Sequence, residues 1–210
     1  MQIDNYQKNV MDKKYINRDI EKIIKIAVRQ FPAVIVTGPR QSGKTTLLKH
    51  LFHKTHKYVS MDNPDLRLMA IEEPVLFFEN YPPPVIIDEV QYTPQLFSYI
   101  KILIDKNRSL KAQFLLTGSQ SFPLMANVVE SLAGRIAVFT LLSFSFREKF
   151  GKDITIDLNK LKNGVLRGGF PEVITNKNMN FDLWFASYFQ TYLERDVRQL
   201  RQIGDLYMTP

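Results

Sequence analysis

One stretch constrains this chain more than any other. An apolar run of β-formers, Ala33 to Thr37, gives way to Gly38-Pro39-Arg40-Gln41-Ser42-Gly43-Lys44-Thr45-Thr46, and apolar residues return at once with Leu47 and Leu48. Gly38 and Gly43 open backbone conformations that side chains forbid, so successive N–H groups can turn inward and form a nest for anionic oxygens. The helix beyond presents its positive end to the same place. Lys44 adds a point charge that reaches β and γ phosphates, and the hydroxyl of Thr45 is a ligand for Mg²⁺. A turn that only joined strand to helix needs no lysine and no threonine. The stretch matches GxxxxGK[ST] at every fixed position, which makes Gly38, Pro39, Arg40, Gln41, Ser42, Gly43, Lys44, Thr45 and Thr46 the candidate binding residues for a nucleoside triphosphate.

The rest of the chain supplies the scaffold such a loop needs. Ile20, Ile23, Ile24 and Ala27 fall at helical spacing, and the helix they form should end near Phe31-Pro32. Short apolar runs at Ala33–Thr37, Lys57–Met61, Val85–Ile87, Gln113–Leu116 and Ile136–Leu141 read as strands, with helices over Lys44–Phe52 and Gln95–Asp105. Runs apolar on both faces suit buried parallel strands, so the expected fold class is α/β, a three-layer P-loop NTPase with a five-stranded parallel sheet. In such sheets ligands sit outside the carboxyl ends of the strands. With 210 residues, 45% of them hydrophobic, the chain holds one α/β domain and a small accessory piece. The expected division is a core with an N-terminal helix over 1–150 and a helical lid or linker over 151–210. Ser143–Phe150 reads as a capped helix at the end of the core, and Phe181–Ile203 as a long helix in the lid or linker, with Phe185, Phe189, Leu193, Val197 and Leu200 along one side.

Two carboxylates stand at the end of the third strand. In Val85-Ile86-Ile87-Asp88-Glu89, Asp88 is placed to hold Mg²⁺ together with Thr45, and Glu89 is a second acid free to polarise a water against the γ-phosphate. An acid at a helix start is the structural alternative for Glu89. The fourth strand ends in Thr117-Gly118-Ser119-Gln120, where Ser119 first and Thr117 second are candidates to touch the γ-phosphate or the attacking water. Arg135, before the fifth strand, is a candidate arginine finger in its own subunit or a neighbour, or a structural ion-pair partner. The Asn176-Lys177-Asn178-Met179 segment lacks the aspartate of a guanine-reading motif, so ATP is the expected nucleotide.

The segments GPRQSGKTTLL, PPPVIIDEVQ, FLLTGSQSF, ESLAGR, GGFPEV and YLERDVRQL, in this order, resemble bacterial and archaeal AAA+-like ATPases that carry a further C-terminal domain of unassigned function. The likeness runs from Arg18 to Leu200. It implies a RecA-like core with strand order 5-1-4-3-2, bound ATP and Mg²⁺, and Lys44, Asp88, Glu89 and Arg135 in the roles just given. It also implies that this chain corresponds to the N-terminal ATPase part of longer proteins.

Other features bound the partners. No stretch reaches the roughly 20 apolar residues of a membrane span, and the polar N-terminus lacks the apolar centre of a signal peptide, so a cytoplasmic protein without membrane contact is expected. Cysteine is absent, which removes thiolate metal sites and thiol nucleophiles. His50, His53 and His56 are evenly spaced, yet no further ligand completes a zinc site. Lys+Arg of 28 against Asp+Glu of 21 leaves +7, a spread-out surplus that favours phosphate-bearing partners, DNA among them, without identifying one. Arg195, Arg198 and Arg201 could face a phosphate backbone, though pairing with Glu194 and Asp196 on a solvated helix face is the simpler account. Two readings stand at this point. One is an Mg²⁺-dependent ATPase turning ATP into ADP, coupled to a remodelling or DNA-related task; the other is a nucleotide-gated protein- or DNA-binding module with little turnover. Self-association or contact with a C-terminal domain is compatible with both.

Overall fold

A computed structural model describes residues 15–119, 126, 128, 130–151, 158–176 and 178–193. The chain divides into two compact units, the first Tyr15–Phe144 and the second starting at Ser145.

In the first unit, helix α1 (Glu21–Gln30) turns Ile24 and Ala27 inward and stops before Pro32, where Phe31 is extended. Then follow β1 (Ala33–Gly38), α2 (Lys44–Phe52), β2 (Lys57–Ser60), α3 (Pro64–Glu72), α4 (Pro74–Asn80) and β3 (Val85–Asp88). A 3-10 turn (Val90–Tyr92) leads to α5 (Leu96–Lys106), β4 (Phe114–Ser119) and β5 (Ile136–Thr140). The five strands pair in parallel in the order β2-β3-β4-β1-β5, which is 5-1-4-3-2 read from the other edge. Every residue of β1 is buried, because the strand lies between two neighbours and under helices on both faces. Alternate residues sort the core accordingly. Ala33 and Ile35 join Phe77, Phe97 and Ile100 on the side of α3, α4 and α5; Val34 and Val36 join Ile24, Leu47 and Leu48 on the side of α1 and α2. Among the described residues no helix is long and apolar enough to cross a membrane.

Helices α3 and α4 are not foreseen by the sequence reading. Asn63 caps α3 by accepting from the N–H groups of Asp65 and Leu66, with Pro64 in the first turn. Strand β4 also runs further than expected, to Ser119, and carries its polar tip up beside Gly38.

His56 shows what one of the three histidines does. It is buried at the α2–β2 junction, with Nε2 2.8 Å from the carbonyl of Ala112 and its ring edge-on to Phe52. Burial pushes its pKa below the usual value of 6.5. The unfolded chain therefore takes up the proton first, and stability of the unit should fall as pH drops below about 6.5 towards the lowered folded value, then level off. Urea melts at pH 7.5 and 5 should show that loss, and His56→Gln should shrink it; an unchanged pH slope in His56→Gln assigns the loss to other groups.

The second unit is helical: α6 (Phe146–Phe150), α7 (Leu158–Leu166), α8 (Pro171–Thr175) and α9 (Phe181–Tyr188), the last continued by a π turn (Phe189–Leu193). Ser145 and Glu148 form a capping box at the start of α6. Lys149 ties α6 to α7 by donating to the carbonyls of Gly164 and Gly168, at 2.9 and 2.7 Å. Phe170 packs on Trp184 and Tyr188, whose rings stack on each other 5.1 Å apart. The expected extension of the last helix to Ile203, with Val197, Leu200 and the arginines at 195, 198 and 201, lies outside the described residues.

Candidate functional site

The carboxyl ends of β1, β3 and β4 lie side by side, and the residues singled out in the sequence gather there. The loop after β1 takes its shape from left-handed backbone: φ is +142° at Gly38, +59° at Gln41 and +94° at Gly43, which is also the N-cap of α2. At Gly38 the lack of a side chain is a packing requirement as well, since a Cβ there would stand 2.2 Å from the carbonyl oxygen of Leu141, in the segment after β5. Lys44 is buried, and its Nζ donates to the carbonyls of Gly38 (3.1 Å) and Pro39 (2.9 Å). Burial lowers its pKa, while the carboxylates of Glu89 and Asp88 act in the opposite direction. Arg40 donates to the phenol of Tyr92 at 3.3 Å, and Thr46 faces outward on α2.

Asp88, at the tip of β3, is the hub. Its Oδ1 accepts from the hydroxyl of Thr45 at 2.8 Å and from the hydroxyl of Thr117, and its Oδ2 accepts from the phenol of Tyr58 at 2.8 Å. Burial and the adjacent Asp88 carboxylate push the Tyr58 phenol up, and Lys49 lies 3.8 Å above its ring. Thr117 works in two directions, since its oxygen also accepts from the N–H of Glu89 at 3.1 Å. Glu89 itself sits in left-handed backbone, φ +55°, and its carboxylate accepts from the side-chain amide of Gln91.

Ser119 pairs in register with Gly38. Its hydroxyl and that of Ser42 are buried side-chain oxygens with no hydrogen-bond partner among the described residues. Buried polar atoms are rarely left so, and these two lie on the phosphate loop and on the strand tip next to it. A phosphate group is the kind of ligand that satisfies them. The donor set beside them, a threonine hydroxyl 2.8 Å from an aspartate, is the all-oxygen chemistry that Mg²⁺ takes. The residues present therefore fit a triphosphate and its metal.

Arg135 is not brought here, and the expectation of an arginine finger in its own subunit is corrected. It precedes β5, so it stands at the amino end of the parallel sheet, where its carbonyl accepts from the N–H of Ala33. The phosphate loop is at the opposite end, about 16 Å away at the rise of a five-residue strand. Its guanidinium makes a two-pronged pair with Asp105, at 2.8 and 2.9 Å. The structural pairing weighed for this residue is the arrangement observed.

Tyr58 and Gln91 join this candidate site through Asp88 and Glu89, and the sequence reading missed both. Gln91 was visible in the stretch Asp88-Glu89-Val90-Gln91, two residues beyond the acid it binds. Nothing in the sequence links Tyr58 to Asp88, because their meeting depends on the pairing of β2 with β3.

Comparison with known proteins agrees with this architecture. The model of a family described as AAA domain matches residues 30–150, more than half the chain. The chain belongs to the AAA domain family. A second family model, for a domain of unknown function (DUF8612), matches residues 158–209. Two curated relatives are 33% identical to this AAA protein over 186 residues: the uncharacterized proteins Rv2008c of Mycobacterium tuberculosis and Mb2031c of Mycobacterium bovis. The match covers 87% of this chain but 40% of each relative, so the chain spans less than half the length of those proteins. Among solved structures, the Walker-type ATPase PABY2304 of Pyrococcus abyssi superposes with a TM-score of 0.57 at 16% identity, covering 93% of this chain and 78% of that one. At that identity the likeness speaks for the fold, a P-loop AAA-type ATPase fold.

Proposed function

We propose that this domain binds ATP with Mg²⁺ and hydrolyses it to ADP and phosphate. The observation that carries the reading is the cluster at the strand ends, in which the Thr45 hydroxyl meets Asp88 at 2.8 Å beside Lys44 and a second acid, Glu89. Gly38 to Thr46 would hold the triphosphate through the inward N–H groups of the loop and the start of α2. Lys44 would release the carbonyls of Gly38 and Pro39 and place its charge on the β and γ phosphates. Thr45 and Asp88 would hold the metal. When bound, Mg²⁺ supplies neutralisation of the charge that develops on the phosphate oxygens.

Glu89 would accept a proton from a water whose oxygen forms a bond to the γ-phosphorus while the bond from that phosphorus to the β,γ-bridging oxygen breaks, ADP leaving with the electron pair. The Ser119 hydroxyl, buried and without a partner among the described residues, would donate to the γ-phosphate or the water. Because the curated relatives are more than twice as long as the matched segment, turnover here would drive or gate work performed by the rest of such a protein.

The deciding measurement is phosphate release from ATP in Mg²⁺ and in EDTA, for wild type and Lys44→Ala. Wild type should release phosphate only with the metal, and Lys44→Ala should lower the rate by at least about 10²-fold, as removal of a group that stabilises transition-state charge does. Tight ATP binding with no phosphate under any condition would overturn hydrolysis and leave the nucleotide-gated module.

A further inference from the structure

Gln91 links two parts of the site that the proposed chemistry uses separately. Its side-chain Nε2 donates to Oε2 of Glu89, and its Oε1 accepts from the backbone N–H of Ser119 at 3.3 Å. One amide thus spans from the acid after β3 to the tip of β4. At that tip, Ser119 pairs in register with Gly38 of the phosphate loop and carries a buried hydroxyl with no partner among the described residues.

The backbone reinforces the link. Glu89 is a non-glycine residue in left-handed conformation, a strained arrangement that persists only where the surroundings enforce it. Here the N–H of Glu89 is held by Thr117 of β4 at 3.1 Å, and the following turn, Val90–Tyr92, swings Gln91 back over the acid. Both the backbone and the carboxylate of Glu89 are therefore referenced to β4, the strand that ends at the phosphate loop.

We infer that Gln91 is a positioning residue: it orients the Glu89 carboxylate and ties that orientation to the position of the Ser119 tip, so that a γ-phosphate engaged by Ser119 sets the aim of the base. The inference rests on the hydrolytic reading. A glutamate side chain has three rotatable bonds, and a base must lie within hydrogen-bond reach of the proton it takes, so loss of the clip should reduce the chemical step while leaving ground-state binding intact. Replacing the amide with a carboxylate should do something different. Gln91→Glu would put two acids in hydrogen-bond contact, and like charges at that distance cannot both ionise at the ordinary pH.

The test uses wild type, Gln91→Ala and Gln91→Glu, each first checked for an unchanged melting temperature. In Gln91→Ala, kcat for ATP should fall about 10- to 100-fold with KM within about twofold. Affinity for a fluorescent ATP analogue should stay within about twofold, while affinity for ADP with aluminium fluoride, which mimics the transferring phosphoryl group, should weaken about tenfold. In Gln91→Glu the acid limb of the kcat–pH profile should move up by at least about one pH unit, which reports that position 91 touches the base, while the split between kcat and KM in Gln91→Ala reports the positioning. Wild-type turnover with kcat, aluminium fluoride affinity and pH profile unchanged in both variants overturns the inference alone. Absence of wild-type turnover overturns it together with the hydrolytic reading.

Discussion

Glu89→Gln is expected to keep ATP bound and stop its turnover. The substitution preserves the size of the side chain and an oxygen that can accept from the Gln91 amide, so the clip between β3 and β4 can persist. The N–H of Glu89 that Thr117 holds is unaffected, and Lys44, Thr45 and Asp88 are untouched. What disappears is a group able to take a proton from water, whose loss is worth about 10²- to 10⁴-fold in rate. Binding should move the other way. Of the two acids acting on Lys44, Glu89 exerts the larger charge effect, and with it neutral the loop becomes more favourable for a triphosphate. The measurement is phosphate release under single-turnover conditions beside ATP affinity by fluorescence. Wild-type turnover retained in the glutamine variant would assign the base elsewhere. A trickle of phosphate equal in both proteins would favour a nucleotide-dependent clamp, in which hydrolysis is incidental.

That contrast is available because the sequence exposes the site in pieces. The phosphate loop and the two acids can be read directly, since each needs fixed residue types at fixed spacing next to an apolar strand. The parallel sheet is legible for a related reason: β1, β3 and the first part of β4 are buried on both faces and so appear as unbroken apolar runs. Helices α3 and α4 are not legible by the same rule. Leu68 and Val75 are 60% and 62% exposed, which blurs the one-sided pattern a reader relies on, although Asn63-Pro64-Asp65 is a helix start in plain view. The apolar run of β4 stops at Leu116, so the strand's polar continuation through Thr117, Gly118 and Ser119 does not show in the pattern; it is fixed by pairing with β1, which carries it past Gly118, a residue that strands disfavour.

Tertiary contacts account for the remaining misses. Tyr58 looks like an ordinary strand aromatic until β2 pairs with β3 and sets its phenol on Asp88. Arg135 is a finger candidate in the sequence because it stands in Ser131-Leu132-Ala133-Gly134-Arg135 just before the fifth strand. Only strand direction reveals that it lies at the amino end of the sheet, next to Asp105.

The second large effect concerns a methyl group. Gly38→Ala should damage both the stability of the first unit and its nucleotide affinity, because two penalties coincide. Left-handed backbone at φ +142° is disfavoured for any residue with a Cβ, and the new atom would meet the carbonyl oxygen of Leu141 at 2.2 Å. Neither side can easily give way. The N–H of Leu141 donates to the carbonyl of Thr37 at 2.8 Å, and the carbonyl of Leu142 accepts from Arg18 at 2.7 Å, while the same guanidinium donates to the carbonyl of Ser42 at 3.0 Å. The segment after β5 and the phosphate loop are thus fastened to each other on either side of Gly38. Strain of about 1–3 kcal/mol and overpacking of about 1–3 kcal/mol together should lower the melting temperature by roughly 10 °C. Gly134→Ala supplies a milder control: its φ of +72° is close to the small left-handed region that side chains can enter, and its Cβ would meet nothing within 4 Å among the described residues. Calorimetric melts of the two variants should separate by several degrees, with nucleotide affinity lost only in Gly38→Ala. If both melt alike and Gly38→Ala still binds ATP as wild type does, then the close contact of Leu141 with the loop is not what shapes the phosphate cradle.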